Sequence, residues 1–231
     1  MSLKDTIKSI RSKIESAQKR GGFSHPVQLI AVTKTHPFSL IKECYDVGIT
    51  AIGENRIQEA SKKFASFDSM PGLSRRFIGH LQSNKVNKCL ELFDTIDSVD
   101  SVKLLKRISN TALQQERTIH VLLEINTSGE IQKHGFLPDK LNEISECFNL
   151  PNINIEGLMT VGPLTADKKK IRDSFIQLRS LRTRINQSVI QSNMLELSMG
   201  MSGDYEIAVE EGSTMIRLGT ALFGKRIPYK T

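Results

Sequence analysis

A (β/α)8 barrel of the TIM type is the fold that the sequence predicts, and three observations predict it. Short β-rich runs alternate with helix-period segments eight times along 231 residues. No linker, internal repeat or shift of composition divides the chain, so residues 1–231 read as one domain. Each predicted strand also ends on a polar residue, as expected where parallel strands emerge together at one rim. Strands that alternate with helices pair in parallel through right-handed crossovers, whereas an open doubly wound sheet more often has about five or six strands. An apolar content of 39% is enough to fill the core of such a barrel.

The elements follow in order. An amphipathic helix over about residues 3 to 20 comes first. The first strand, "VQLIAVT", runs into Lys34 and is closed by Pro37. Seven more strand-like runs follow: "AIG", "RRFIG", "DTIDS", "TIHVLLEI", "INIEGLMT", "MLELS" and "TMIRLG". Between them lie the helical segments "SLIKECYDVG", "RIQEASKKFASF", "KVNKCLEL", "SVKLLKRISNTALQQE", "PDKLNEISECFNL", the basic "DKKKIRDSFIQLRSLRTRIN" and "DYEIAVEEG". The Pro-Gly pair of "FDSMPGLS" marks a turn, and residues 110–116 end a long helix. Little more than "TALFGKRIPYKT" follows the eighth strand, so a full eighth helix is missing and the first helix is expected to cover that gap.

Charge and composition narrow the function classes. The net charge is +7, but it is spread along the chain. In the densest basic segment Ile171, Phe175, Leu178, Leu181 and Ile185 recur at helical spacing, which leaves the cations on a solvated outer face. With no tryptophan and no stacking aromatics beside those cations, nucleic acid is not an expected partner. No run approaches the roughly 20 apolar residues that span a bilayer, and the charged N-terminus lacks a signal-peptide core. Cys44, Cys89 and Cys147 form no C-x-x-C pair and read as reduced thiols on helices. The expected location is the cytoplasm, with no membrane partner.

Function is written at the strand ends, which carry Lys34, Glu54 and Asn55, His80, Asp97, Asn126, Thr160, Ser198 and Arg217. Lys34 would then face the mouth of the barrel. After strand eight, Gly219 and Thr220 open a strand-to-helix transition whose free N–H groups attract an anion. The loop after strand seven adds Ser198, Gly200, Ser202 and Gly203, and these two loops commonly hold a phosphate in such barrels. No P-loop, dinucleotide fingerprint, nucleophile elbow or H-E-x-x-H motif competes. The five histidines show no metal-ligand spacing.

The segments "AVTKTHP", "IGENRIQEA", "FIGHLQSNK", "GLMTVGP" and "LSMGMSGDYEIAVEEGSTMIRLGTALFG" run in order from about residue 27 to Gly224. Together they resemble the pyridoxal phosphate homeostasis protein family, relatives of the alanine racemase N-terminal barrel. That resemblance implies a fold-type III barrel holding pyridoxal 5′-phosphate (PLP), joined covalently to Lys34 as an aldimine. It also implies Arg217 facing the pyridine nitrogen, and Ser198, Gly200, Gly219 and Thr220 around the phosphate. Asn55 would lie near the ring, with His80 and Met199 lining the pocket. Met199 and Met201 have packing as the alternative reading, and Glu54 an ion pair with Arg56 or Arg217. Many bacterial relatives carry a second lysine where this chain has His36, which puts any hand-over role of that lysine in doubt here. Lys133 matches a common family lysine.

Two function classes follow. A permanent cation opposite the pyridine nitrogen disfavours its protonation and weakens the ring as an electron sink. Racemases of this barrel add a β-domain and a tyrosine from a partner subunit. Here the tyrosines are Tyr45, Tyr205 and Tyr229, no segment resembles that domain, and no second acid/base opposite Lys34 is evident. The expectation is a non-catalytic, monomeric PLP carrier with PLP-dependent apoenzymes as acceptors. A racemase-like enzyme is the alternative.

Overall fold

The computed structural model describes residues 2–64 and 70–224. Residues 65–69, which include the start of "FDSMPGLS" and the end of the third predicted helical segment, and residues 225–231, with Tyr229, lie outside that range.

Eight strands close a parallel barrel in sequence order: β1 (Gln28–Val32), β2 (Ala51–Glu54), β3 (Ser74–Phe77), β4 (Thr95–Val99), β5 (Ile119–Glu124), β6 (Ile153–Met159), β7 (Glu196–Met201) and β8 (Met215–Leu218). The ring shuts where Gln28 to Ala31 pair with Met215 to Leu218. The predicted and observed strands agree except at β7, which runs three residues past its predicted end. Gly200 takes φ 98° there and the register against β8 shifts between Ser198 and Met201. A bulge of this kind re-aims a strand end, which a period-of-two pattern does not reveal.

The helices are α1 (Leu3–Gly21), α2 (Phe38–Asp46), α3 (Ile57–Lys63), α4 (Val86–Leu92), α5 (Val102–Gln114), α6 (Leu141–Glu146), α7 (Lys168–Ser188), α8 (Tyr205–Glu210) and α9 (Thr220–Phe223). The sixth predicted helical segment is divided, α6 passing into a 3-10 turn at Cys147–Asn149. A reciprocal Ser2–Asp5 capping box starts α1. Its Ile7, Ile10, Ile14 and Ala17 are buried, a helical stripe that packs on α8 and α9. Arg20 donates to Glu210 at 2.7 Å, and a Cβ on Gly21 would meet the Glu210 carbonyl oxygen at 2.3 Å. The first helix therefore packs beside the last described helices of the ring, at the place it was expected to cover.

Alternate strand residues separate two apolar regions. The larger one lies between sheet and helices and includes Leu29, Ala31, Ile52, Leu197, Met199, Ile216 and Leu218. The smaller, inside the barrel, is Ile30, Ala51, Leu122, Met159 and Met215. Charge occupies much of the remaining interior. Arg76 grips Asp97 through two bonds of 2.8 and 3.0 Å, and the Thr95 hydroxyl donates to the same carboxylate at 3.0 Å. Asp97 is thus part of the barrel's filling and not a rim residue. Such a fork satisfies both buried ions at once. No described helix is long and apolar enough to cross a membrane.

Candidate functional site

Lys34 sits just beyond β1 on the side of the strand that Ile30 and Val32 share, given the two-residue period. It lies in a turn closed by the His36 N–H bonding the Thr33 carbonyl at 3.0 Å. Thr35, the next residue, has φ 66°, a left-handed conformation costing about 1–2 kcal/mol for a residue with a Cβ. Surrounding bonds hold it. The Thr35 N–H donates to the Glu59 carboxylate, and its hydroxyl donates to the Lys34 carbonyl at 2.6 Å. From α3, Lys63 Nζ reaches the Thr33 carbonyl at 2.9 Å, Glu54 at 2.9 Å and Glu59 at 2.6 Å.

Glu54 therefore pairs with Lys63, and neither Arg56 nor Arg217 is its partner. It also accepts from the Thr33 hydroxyl at 2.7 Å. On β2 it has the parity of Ile52, which faces the helical layer, so it supports the lysine turn from behind. Burial pushes its carboxyl above the usual range against the pull of Thr33 and Lys63. Among the described residues its Oε2 is buried with no hydrogen-bond partner. At Glu59 burial also raises the carboxyl, but Lys63 and the Thr35 N–H outweigh it and leave the value lowered.

Arg217 on β8 is 4% exposed. One of its terminal nitrogens donates to the carbonyl and hydroxyl of Ser198 at 2.9 and 2.7 Å, and the other to the Thr160 carbonyl at 2.7 Å. Burial lowers its pKa, and the charges of Asp97, Glu124 and Asp204 oppose that shift. Ser198, expected near a phosphate, holds the guanidinium through its hydroxyl and carbonyl. Met199 is fully buried in the outer apolar region, so its side chain packs and does not line the mouth. Asn126 is likewise a loop organiser, its side chain bonding the Glu130 carbonyl and the Ser128 N–H at 2.9 and 3.2 Å.

Beside Arg217 the β7 and β8 loops converge on one oxygen. Ser202 Oγ accepts the N–H groups of Gly219 and Ala221 at 3.3 and 3.0 Å. Thr220 is exposed at the start of α9. Gly200 needs its lack of a side chain, because a Cβ would sit 2.6 Å from that of Ala208. At Gly219 nothing comparable applies: a Cβ would meet only Val32, at 3.6 Å or more.

Across the mouth, β3, β4 and β5 deliver a different set. Asn55 is half-buried, and a Cβ on Gly79 would lie 2.4 Å from its carbonyl oxygen, so these two loops touch through backbone. His80 Nδ1 lies 3.1 Å from Asp100 Oδ2, and its ring stacks on that of His134 at 3.9 Å. Lys133 donates to the Gly162 carbonyl at 2.8 Å and pairs with Glu130 at 2.7 Å. His36 faces the Phe223 ring at 4.9 Å.

Sequence reasoning passed over three residues here. Lys63 is the support just described. Glu124, which ends β5 on the side of Leu122, and Asp204, which takes the Met201 N–H at 2.6 Å, are both raised by burial and partly restrained by Arg217. The parity of Leu122 and Glu124 was the available signal for Glu124. Ser202 was visible as a loop hydroxyl, while nothing local indicated that Lys63 reaches Thr33.

An amine, a buried guanidinium and a paired N–H cradle thus share one rim, the donor set that an aldehyde, a ring nitrogen and a phosphate on one molecule require. The Ser202 hydroxyl already fills the cradle with an oxygen acceptor, so the cradle's geometry suits an anionic oxygen. The sequence matches the alanine racemase N-terminal domain family over residues 6–227. It is 39% identical to the pyridoxal phosphate homeostasis protein of Vibrio cholerae over 97% of each chain, and 35% identical to the human protein of that name over 95% of this chain and 85% of that one. A solved structure of PipY from Synechococcus elongatus with PLP bound superposes with a TM-score of 0.85 at 37% identity, covering 96% of this chain and all of that one. On sequence and fold alike, the chain belongs to the pyridoxal phosphate homeostasis protein family.

Proposed function

We propose that this protein binds PLP at the β1–β7–β8 side of the barrel mouth and serves intracellular PLP homeostasis by storing, buffering or delivering the cofactor. The observation that carries the proposal is the convergence of Lys34, Arg217 and the Ser202-linked N–H cradle on one rim, in a chain whose relatives carry that name. Lys34 supplies the amine for covalent attachment of the aldehyde. Arg217, fixed by Ser198 and Thr160, faces the pyridine nitrogen. Gly219, which neither backbone conformation nor packing requires, leaves room for a phosphate beside Thr220 and the N–H groups of the loop. Asn55 and His80 lie toward the ring side. Three buried free thiols suit a reducing cytoplasm.

Bound PLP supplies an electrophilic carbon and an electron sink, and the residues around it decide whether turnover follows. A guanidinium in place of a carboxylate at the ring nitrogen weakens the sink. Tyr205, a possible second acid/base, is buried on α8, and burial raises its pKa. The protein acts as a carrier on this reading, releasing PLP to acceptor apoenzymes. The test is to incubate PLP-loaded protein with single L-amino acids and follow chiral composition. No racemisation is expected; a rate of about 1 per second or faster, abolished by Lys34→Ala, would establish the enzyme reading in its place.

A further inference from the structure

We propose that His80, Asp100 and His134 bind one borderline divalent transition-metal ion, such as Zn2+, on the β3–β5 side of the mouth. Their donor atoms all lie within 4.8 Å of one another. Both imidazoles turn Nδ1 toward the same oxygen: Asp100 Oδ2 is 3.1 Å from His80 and 3.7 Å from His134. Two bonds of about 2.0–2.2 Å at a tetrahedral ion hold their donor atoms roughly 3.3–3.5 Å apart. The two Asp100 contacts bracket that separation, so turning the two exposed rings about their side-chain bonds brings all three onto one ion.

The imidazoles are stacked with centroids 3.9 Å apart and planes within 12°, and an ion lying in the plane of each ring requires them to splay from that arrangement, which their exposure permits. At 3.7 Å the His134 contact is too long for a hydrogen bond, so a single proton-mediated network serves one ring and leaves the other out. A dication between them engages both nitrogens and the carboxylate. Two imidazoles and one carboxylate suit Zn2+, Ni2+ or Cu2+; Mg2+ and Ca2+ select all-oxygen sites.

The three ligands are also held in place. Asp100 Oδ1 accepts from the Ser101 hydroxyl at 3.2 Å, the kind of outer bond that orients a metal carboxylate. His134 sits between two anchored residues. On one side Lys133 is tied to Gly162, and on the other Gly135 has φ 118° and passes so close to Asn126 that a Cβ would lie 2.8 Å from its nitrogen. Lys133 lines the same cleft, and Glu130 offsets its charge at 2.7 Å. An open cleft of about 600 Å³, lined also by Gln82, Ser83 and Lys103, leaves a coordination position free for water or a ligand.

Calorimetric titration of ZnCl2 into the full chain, first stripped with a chelator, tests the site. One equivalent is expected to bind, with His134→Ala, His134→Gln and Asp100→Asn each weakening it about tenfold or more. His120→Ala, which removes a ring paired with Glu156 near the start of β5, is expected to leave it unchanged. Retained affinity in the His134 and Asp100 variants, an equal loss in His120→Ala, or no one-equivalent binding overturns the proposal. Circular dichroism of each metal-free variant separates ligand loss from misfolding.

Discussion

The two sides of the barrel mouth are built on different plans. Where β7 and β8 meet β1, most of the polar groups are fixed by the fold: Lys34 is half-buried, Arg217 is clamped by two carbonyls and a hydroxyl, and the α9 entrance is organised by one serine oxygen. Where β3, β4 and β5 end, the groups are exposed or half-buried side chains on loops, His80, Asp100 and His134. A backbone cradle is pre-organised and loses little entropy on binding, whereas exposed side chains must be ordered when a ligand arrives. The first side can define a fixed position for one molecule. The second can adapt, or exchange what it holds.

The most severe way to break this comparison is Lys34→Ala. If the β1 side carries covalent attachment, PLP added to the variant leaves no borohydride-fixed mass on the chain, while the fold persists because Lys34 is outside the apolar regions. Wild type is expected to carry one such adduct, at Lys34. An adduct of equal yield on another lysine in the variant would move the attachment point elsewhere.

A smaller effect concerns the support behind that lysine. Lys63→Met leaves Glu54 and Glu59 without their cation and the Thr33 carbonyl with the His36 N–H but without the ammonium. Removing one member of a buried ion pair costs about 3–5 kcal/mol, which urea unfolding at neutral pH would register. Because Thr35 then loses the network that holds its left-handed turn, borohydride-fixed PLP is also expected to fall. A stability change with undiminished attachment would show that the turn holds without Lys63.

Thr220→Val tests the cradle itself. Loss of one hydrogen bond to a charged group costs about 1.5–3 kcal/mol, or roughly tenfold and more in affinity. PLP should weaken accordingly and the non-phosphorylated aldehyde should not. Equal losses for both would place the phosphate away from α9.

The two sides also differ in how far the sequence reveals them. Short β-rich runs between helix-period segments showed the strands, and glycine, serine and threonine near the ends of strands seven and eight exposed the anion-attracting side, because that chemistry is local. His80, Asp100 and His134 come from three loops, and five histidines without spacing looked unremarkable. Only closure of the barrel stacks two of them. The side-chain settings of Ser198 and Met199 were hidden for a related reason: Arg217 takes the serine hydroxyl, and the bulge at Gly200 re-aims the strand end. Lys63 was readable as an (i, i+4) partner of Glu59, while its reach to Thr33 is tertiary.

The smallest effect expected is at Glu124, which stands between the two sides. Burial raises its carboxyl above the ordinary 4.5, Asp100 raises it further, and Arg217 and His134 draw it back. The folded protein therefore keeps the Glu124 proton at pH values where the unfolded chain has lost it. Between those two values the native state binds more protons, so its stability falls as pH rises through the window. Gln at this position cannot ionise and lacks that decline. In chelator, the unfolding free energy of Glu124→Gln minus that of wild type should be smallest below 4.5, increase with pH, and level off above the folded value. A difference that is flat or shrinks with pH would remove Glu124 from the buried set. Asp100→Asn sharpens the same measurement: without that negative neighbour the folded value drops toward 4.5 and the window narrows, which would show that the exposed side of the mouth sets the charge state of a residue facing the buried one.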